Sequence, residues 1–367
     1  MTSRDITHPE WAGGDVYHFE IAKRLVECGD DVAMLCSRYK GCKDREELQG
    51  VRIIRIRGGI LRIFSNFLTY HKCLKGKQNV IVEEAEGPAG PLLAFIYALE
   101  PVVIMWHQLG KTIYFEQFPS LIASILLIME KIYVALARKC LIITPSDERA
   151  QEFAHLGFST RELNVVPAAV VREKVFRRSR QTPCKKPYFV VLGKIRRYKA
   201  YHHAVEALRL LRERKERCDL VIAGRRGEEK YLDELEKLIT KYGLHDSVIV
   251  KLDVDEEEKT QLLSGAMALI VTSPIEGFSI VSVEANALGV PVIATKGVPN
   301  EVVSHGFNGV KYDFGDVQAL AEAMFELVHD RKLRDELSRN AVRSSDRFSW
   351  DRSAKLFKAV LQRATKK

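Results

Sequence analysis

The sequence has no paired cysteine motif. Its seven cysteines are scattered, odd in number and never spaced as CxxC. Disulfide-rich secreted domains and zinc knuckles depend on paired or closely spaced cysteines. We therefore exclude both frameworks, and expect most of these cysteines to be small buried apolar residues in a reducing compartment.

Long apolar runs are absent as well. No segment reaches the roughly 18 uninterrupted apolar residues that span a bilayer. The nearest, Phe118–Leu136, contains Glu130 and Lys131, and we expect it to be a buried or membrane-facing helix. The polar opening, Met1–Pro9, has no apolar core of a signal peptide, so the expected location is the cytoplasm.

Nucleic-acid and dinucleotide signatures are also missing. The net charge of +9 permits an anionic partner such as a nucleotide, a nucleic acid or a membrane. No zinc finger, aromatic RNA-binding motif or long basic tail occurs, so a nucleic-acid partner is not expected. No GxGxxG fingerprint occurs either, which disfavours an NAD-dependent dehydrogenase.

What the chain does have is a repeated alternation of strand-like and helix-like segments, which predicts an α/β protein with parallel sheets. Examples are a strand at Tyr188–Leu192 and a helix that begins near Asp147 after an N-cap at Ser146. A length of 367 residues fits two domains. We predict a first domain over residues 1–171, a basic, proline-containing linker over 172–187, a second domain over 188–347 and a final helix over 348–367.

The most informative segment is a buried strand followed by a loop, a helix and another strand. Glu276 lies in the loop and Glu284 in the helix, eight residues apart. On continuous helix that spacing is just over two turns, so both carboxylates would point the same way. Gly277 would let a ligand approach the backbone closely. The N–H groups that open the helix and can hold an anion belong to Phe278, Ser279 and Ile280. Glu284 alone could be a solvated helix residue, but its helix neighbours are apolar.

This segment, EGFSIVSVEANALGVPVIAT, resembles the E-x7-E signature of retaining glycosyltransferases of family 4. The resemblance implies the GT-B fold: two Rossmann-like domains facing across a cleft, with a C-terminal helix that crosses back to the first domain. It implies a UDP- or GDP-sugar donor, a hexose-type sugar, and no metal or other cofactor. Glu276 would contact the transferred sugar and Glu284 the ribose, while the amides from Gly277 to Ile280 would contact the sugar and diphosphate.

Cations follow the strand that begins the second domain. The segment from Gly193 to Ala200 carries four of them, at Lys194, Arg196, Arg197 and Lys199, which suits a diphosphate leaving group, although a solvated basic face would look the same. It resembles the family's GR-x4-KG element, with Lys199 on the family lysine. Lys194 replaces the usual Arg and cannot make its bidentate contact. Whether Lys194, Arg196 or Arg197 neutralises the phosphates stays open.

Three smaller features complete the predicted site. Gly13 and Gly14 precede a helix, either for close passage of a ligand or as a plain turn; relatives carry paired glycines here, near the diphosphate. Gly224 follows a strand and resembles the family's glycine turn near the nucleotide. His107 lies just past a buried strand, where relatives commonly have a histidine that contacts the donor sugar, although a lone histidine is otherwise more often structural.

The ends of the chain bear on the fold. Phe348–Arg352 resembles the opening of the family's last helix. Relatives begin with an apolar strand that leads to the glycine loop, and little apolar sequence precedes Gly13 here. We therefore expect the first strand to be missing or abbreviated, with a true N-terminus upstream of Met1.

The acceptor is the least defined part of the prediction. It could be a lipid, a glycan or a small molecule. Residues 51–77 contain seven cations and no acidic residue, with apolar residues interleaved. This segment could face the anionic inner surface of a membrane that holds a lipid-linked acceptor, or be a solvated basic face. A nucleotide-sugar 2-epimerase and a non-catalytic partner of the same fold are the alternative functions.

Overall fold

The computed structural model describes residues 1–58, 62–85, 93–170 and 186–366. It separates into two compact units, one formed by Met1–Ala169 with Ser349–Lys367 and the other by Val170–Phe348. Both are built from strands and helices in alternation, which confirms the predicted α/β class. Most of the predicted linker, residues 172–185, lies outside the described residues.

The first unit alternates helices with short strands. Its elements are α1 (Gly13–Glu27), β1 (Ala33–Ser37), β2 (Arg45–Leu48), β3 (Val51–Ile56), α2 (Arg62–Thr69) continued by a π-helical turn (Tyr70–Leu74), β4 (Ile81–Glu84), α3 (Ala94–Tyr97), β5 (Val102–Met105), α4 (Lys111–Gln117), α5 (Ser120–Ala137), β6 (Leu141–Thr144), α6 (Asp147–His155) and β7 (Leu163–Val165). The predicted N-cap is confirmed, because Ser146 Oγ accepts a hydrogen bond from the Arg149 amide.

The strands of the first unit form two sheets. One has the order β4-β5-β6-β7 and is entirely parallel, and the other has the order β1-β3-β2. In the second sheet β1 pairs parallel with β3, and the short strand β2 adds an antiparallel pair at the edge. Strands β2 and β3 are joined by Gln49 and Gly50, both with positive φ (50° and 82°), as a tight hairpin turn requires.

The segment Met1–Ser3 lies where a strand between these two sheets would lie. On one side, Thr2 N–H donates to Leu35 O at 2.9 Å and Ser37 N–H donates to Ser3 O at 3.1 Å. On the other side, Glu84 N–H donates to Met1 O at 2.9 Å. These bonds link β1 to β4 through three residues.

The second unit contains one parallel sheet. Its elements are β8 (Tyr188–Leu192), a 3-10 turn (Arg197–Lys199), α7 (Tyr201–Glu213), β9 (Asp219–Gly224), α8 (Glu229–Lys241), β10 (Val248–Leu252), α9 (Glu256–Ser264), β11 (Leu269–Val271), α10 (Ile280–Ala287), β12 (Val292–Thr295), β13 (Gly309–Tyr312), α11 (Val317–His329) and α12 (Arg331–Ser345). Among the described residues the strand order is β10-β9-β8-β11-β12-β13.

Strand order decides where a ligand would bind in this unit. From β8 the chain proceeds outward to β9 and β10, then returns to place β11 on the other side of β8. In open parallel sheets, ligands bind at the carboxyl ends of the strands where the order reverses in this way. The loops that follow β8 and β11 therefore meet at the expected binding edge.

The last helix, α13 (Trp350–Ala364), packs on the first unit, as the family resemblance implied. Ser353 Oγ donates to Pro167 O at 2.7 Å, and the Trp350 ring meets Tyr17 of α1 edge-on at 5.7 Å between centroids. Arg24 of α1 forms an ion pair with Asp351 at 2.7 Å.

Candidate active site

The loops after β8 and β11 bring a lysine and a glutamate together. Lys199 Nζ lies 2.5 Å from Glu276 Oε1, and the side chains are only 20% and 14% exposed. Thr272 Oγ1 donates to the Lys199 carbonyl, which ties the two loops together. Burial by itself would lower the pKa of the Lys199 ammonium, but the Glu276 carboxylate raises it above its usual range. Lys199 is therefore positively charged at physiological pH, in the loop that follows β8.

Ala200, which replaces the family's glycine, adopts a left-handed conformation with φ 50° and ψ 40°. Glycine occupies that region without strain, whereas a residue with a Cβ pays roughly 1–2 kcal/mol. The conformation explains why glycine is usual at this position.

Glu284 lies on α10 and meets a second lysine. Its Oε1 accepts from Lys259 Nζ of α9 at 2.9 Å, and Lys259 also pairs with Glu256. Burial alone would lower the pKa of Lys259, but the carboxylates of Glu284 and Glu256 raise it. Lys259 was not identified from the sequence, because its contact with Glu284 depends on how α9 packs beside α10.

Helical spacing does not point Glu276 and Glu284 in the same direction, so that prediction is wrong. Helix α10 begins at Ile280, so Glu276 lies four residues outside it, and the two carboxylates contact different lysines. What the two residues share is the strand that they follow: Glu276 lies in the loop after β11, and Glu284 lies in the helix after that loop.

Ser279 shapes the start of α10. It is the N-cap, with φ 76° and ψ 72°, a conformation uncommon for a residue with a side chain and often found at functional sites. The first N–H groups of a helix have no partner within it, so those of Ile280 and Val281 can meet an anion. Phe278 contributes only backbone here, since its ring is 5% exposed and packs edge-on against Phe348.

The cations after β8 do not all face the same partners. Arg197 forms an ion pair with Glu234 of α8 and lies over the Tyr231 ring, so it is held against α8. Lys194 and Arg196 are half-buried. The assignment of Lys194 and Arg196 to the diphosphate stays a prediction.

Gly224 is a glycine because another backbone touches it. Its φ is 136°, and a Cβ there would lie 2.0 Å from the Gly193 carbonyl oxygen. Gly227 repeats the arrangement, since a Cβ on it would lie 2.1 Å from Ile195 O. These glycines allow the loops after β8 and β9 to pack backbone against backbone, which fixes the loop that carries Lys194.

We expect Gly224→Ala to lower the free energy of unfolding by at least about 3 kcal/mol, because the methyl group can neither fit nor push aside a backbone carbonyl. Gly243→Ala is the matched control. It also has a positive φ, 64°, but no atom within 4 Å of the added Cβ, so it should cost only about 1 kcal/mol. Urea unfolding of both variants measures the difference, and equal losses would contradict this explanation.

In the first unit, His107 belongs to a cluster with His18 and Glu84. His18 Nε2 lies 2.8 Å from Glu84 Oε1, and His107 Nε2 lies 3.2 Å from His18 Nε2. Gly14 borders the cluster, because a Cβ on it would lie 3.3 Å from His107 Nε2. Burial, together with His18, lowers the pKa of His107 to about 4. Burial alone would raise the pKa of Glu84, but His18 and His107 bring it well below its usual range.

His18 and Glu84 were missed at the sequence level, although a signal for each exists. His18 lies four residues after Gly14 on α1, and so on the same helix face. Glu84 ends β4, which pairs with β5, and His107 follows β5. Carboxyl ends of neighbouring parallel strands lie at one edge of a sheet, so the proximity of Glu84 and His107 could have been inferred.

The two halves of the chain match two family models. Residues 11–174 match "Glycosyltransferase Family 4" and residues 172–344 match "Glycosyl transferases group 1". D-inositol 3-phosphate glycosyltransferases are similar in sequence: that of Xylanimonas cellulosilytica is 31% identical over 55% of this chain and 48% of its own length. That of Paenarthrobacter aurescens is 29% identical over 58% and 54%. The match spans about half the length of these curated relatives.

Solved structures share the fold along nearly the whole chain. The sucrose-phosphate synthase of Thermosynechococcus elongatus has a TM-score of 0.82 at 19% identity, over 97% of this chain and 96% of that one. The Anabaena protein HepE, solved in complex with UDP-glucose, has a TM-score of 0.76 at 19% identity over 97% of both chains.

Proposed function

Since the chain belongs to the group 1 glycosyltransferases and has their GT-B fold, we propose that it transfers a hexose-type sugar from a UDP- or GDP-sugar, with retention of anomeric configuration. The observation that carries the proposal is the Lys199–Glu276 pair at the ends of the adjacent strands β8 and β11. HepE, which shares the fold, has been solved with UDP-glucose and with UDP, and this supports a nucleotide-sugar donor.

In this proposal the second unit binds the donor. Glu284 accepts hydrogen bonds from the ribose hydroxyls; an ionised carboxylate has about four lone-pair sites, so Lys259 leaves room for them. The N–H groups at the start of α10, with Lys194 and Arg196, hold the diphosphate. Glu276 has acceptor capacity beyond Lys199 for a hydroxyl of the transferred sugar.

The chemical step is the departure of the diphosphate. Lys199 stabilises the negative charge that develops on it, an effect typically worth a few kcal/mol. The acceptor hydroxyl attacks from the side that the diphosphate leaves, and the leaving phosphate takes its proton, so configuration is retained without a protein nucleophile. Because the helix N–H groups and Lys199 supply the positive charge, the proposal assigns no role to a metal or cofactor. His107 of the first unit contacts the reacting sugar.

We further propose that the acceptor is lipid-linked and that the protein works at the inner, anionic face of a membrane. Helix α5 supports this, since few of its residues are buried: Ala123, Tyr133, Val134 and Ala137. Of the two alternatives expected for this segment, a buried or a membrane-facing helix, the buried one is therefore wrong. Among the described residues it is the one helix long and apolar enough to cross a membrane, and 22% of it is buried in the protein.

In the basic segment over residues 51–77, fewer cations are exposed to a membrane surface than its composition indicated. Arg55 is fully buried in ion pairs with Asp5 and Glu46, and Arg62 is buried and donates to Ser3 Oγ. Both are structural. In α2 and the turn after it, the exposed side chains include four apolar and three cationic ones: Ile63, Phe64, Phe67, Leu68, Lys72, Lys75 and Lys77.

Donor binding can be tested by thermal unfolding with UDP- and GDP-sugars. We expect one nucleotide series to raise Tm by several degrees, since a ligand at 100 times its Kd stabilises by about 2.7 kcal/mol. Glu284→Ala should weaken that binding at least about tenfold, because hydrogen bonds to a charged group contribute about 1.5–3 kcal/mol. Glu322→Ala is the matched control: Glu322 is also paired with a cation, Arg214, but it lies on α11 and does not contact Lys259. No shift with either nucleotide, or equal losses in both variants, would refute the donor assignment.

A further inference from the structure

Glu84 is fixed as a pure hydrogen-bond acceptor. It is 2% exposed, and its Oε2 accepts from Thr2 Oγ1 and from the Ser3 amide at 3.0 Å. Its other oxygen, Oε1, lies 2.8 Å from His18 Nε2. A carboxylate with a lowered pKa can only accept, so the proton on His18 must be on Nε2, pointing at Glu84.

The proton on His18 Nε2 determines the tautomer of His107. His107 Nε2 lies 3.2 Å from His18 Nε2 and 3.7 Å from Glu84 Oε1. Two N–H groups at 3.2 Å would repel, so His107 Nε2 must present its lone pair to the shared proton of His18. With a pKa of about 4, His107 is neutral at physiological pH, and a neutral imidazole carries one proton. That proton is on Nδ1.

The rings of His18 and His107 are also packed against a tyrosine. Tyr17 of α1 meets His18 and His107 edge-on, with centroids 5.6 and 5.4 Å apart, and its hydroxyl donates to Val166 O. A Cβ at position 14 would lie 3.3 Å from His107 Nε2 and 3.5 Å from Glu84 Oε1, so a larger residue there would shift the ring by a few tenths of an ångström. Among the described residues, no hydrogen-bond partner occupies His107 Nδ1.

We propose that Glu84 and His18 are positioning residues that hold His107 as the neutral Nδ1–H tautomer, so that His107 offers its ligand an N–H donor and does not serve as a proton acceptor. The identity of that ligand as a sugar hydroxyl rests on the proposed function; the tautomer does not. His107 would then orient the sugar, and the acceptor's proton would have to leave by another route.

The tautomer can be measured without any substrate. In protein labelled with 15N-histidine, long-range 1H–15N spectra distinguish a protonated ring nitrogen from one with a lone pair, and His107→Gln assigns the signals. We expect His107 to show a protonated Nδ1 and a lone pair on Nε2, unchanged from pH 6 to 8. A protonated Nε2, or titration within that range, would overturn the proposal.

Variants test the role of the partners. Glu84→Gln replaces an obligate acceptor with an amide that can also donate, so His107 should become a mixture of tautomers. His18→Gln should have the same effect, and it provides a second test if Glu84→Gln does not fold. Glu83→Gln is the control, since Glu83 is the preceding buried carboxylate of β4 but bonds Tyr133 and the amides of residues 93 and 94. An unchanged tautomer in both test variants would overturn the proposal.

A metal ion is the competing explanation, because the three atoms lie within 4.8 Å of one another. Titration with Zn²⁺ alone decides between them. We expect no binding stronger than that of the His18→Gln variant. Uptake of one equivalent that Glu84→Gln abolishes would overturn the positioning role of Glu84 and His18, since His18 Nε2 would then be a metal ligand and would carry no proton to direct at His107.

If transfer is also established, Glu84→Gln should reduce kcat about tenfold or more, since loss of a preorganised donor commonly costs about 100- to 1,000-fold. KM for the donor should change much less. Failure of the proposed function would leave no transfer to measure in the wild type, whereas failure of this inference would appear in the spectra alone.

Discussion

Lys199→Ala should reduce the rate of sugar transfer about 100- to 1,000-fold, the usual effect of removing one preorganised charge from the stabilisation of a leaving group. The loss should appear in kcat, because the charge acts mainly as the diphosphate departs. Lys199→Arg keeps the charge and should retain more activity than alanine. The measurement is transfer from the nucleotide sugar that stabilises the protein in the thermal screen.

Because Lys199 forms an ion pair with Glu276, its removal also changes the surroundings of that carboxylate. The experiment therefore includes a Glu276 variant and the double variant. Removing Lys199 leaves the Glu276 carboxylate, 14% exposed, without its cation, which by itself costs roughly 1–3 kcal/mol of stability. Glu276→Ala should also abolish most transfer, and the double variant should be little worse than the poorer single variant, since residues that act as a unit are not additive.

Lys251→Ala is the matched control for Lys199. It removes a lysine of the same unit that forms an ion pair with Glu258, with both side chains about a third exposed, and transfer should stay within about twofold of the wild type since exposed pairs contribute little. Wild-type rates in Lys199→Ala and Glu276→Ala would discard this site. Interconversion of the donor sugar without any acceptor would instead favour an epimerase.

The elements that the sequence predicted well are those in which burial and periodicity agree. Tyr188–Leu192 is a continuous apolar run, and the strand has those bounds, since a parallel strand covered on both faces needs such a run. The hairpin strand Arg45–Leu48 was missed because its residues are charged or half-exposed. This strand is stabilised by its pairing with β3, and the pattern of apolar residues in the sequence does not indicate that pairing.

Prediction of the candidate site from the sequence has a different limit. Lys199 and Glu276 could each be identified from motifs, but their contact joins residues 77 positions apart and depends on β11 lying beside β8. Ser279 illustrates the other difficulty, because nothing in a serine indicates a positive φ. Such features follow from tertiary structure that overrides local preference.

For helix α5, amino-acid composition alone did not determine whether its apolar side chains are buried or exposed. Its apolar residues surround the helix, and periodicity cannot tell a buried helix from one whose apolar face meets solvent. In the structure large apolar side chains are exposed along its length: Leu121, Ile122, Ile125, Ile128, Met129, Ile132 and Leu136. Contiguous exposure of this kind marks an interaction surface.

Binding to phospholipid vesicles should therefore depend on this helix. Burying a large aliphatic side chain fully contributes about 1.5–3 kcal/mol, and Ile128 and Ile132 are 57% and 55% exposed. The double variant Ile128→Glu, Ile132→Glu should lose that burial and place two carboxylates against the lipid, so we expect vesicle affinity to fall at least about 100-fold. Co-sedimentation with phosphatidylcholine vesicles, with and without phosphatidylglycerol, measures it.

Val342→Glu and Leu356→Glu are the controls, since these side chains are also exposed, at 43% and 38%, but lie on α12 and α13. They should bind as the wild type does. Cations near α2 should add about 1 kcal/mol each when they reach an anionic surface, so salt should weaken binding to anionic vesicles more than to neutral ones. If the wild type ignores vesicles of both compositions but sediments as a dimer that the Ile128 and Ile132 substitutions dissociate, the apolar face of α5 is a protein interface, and the membrane proposal fails.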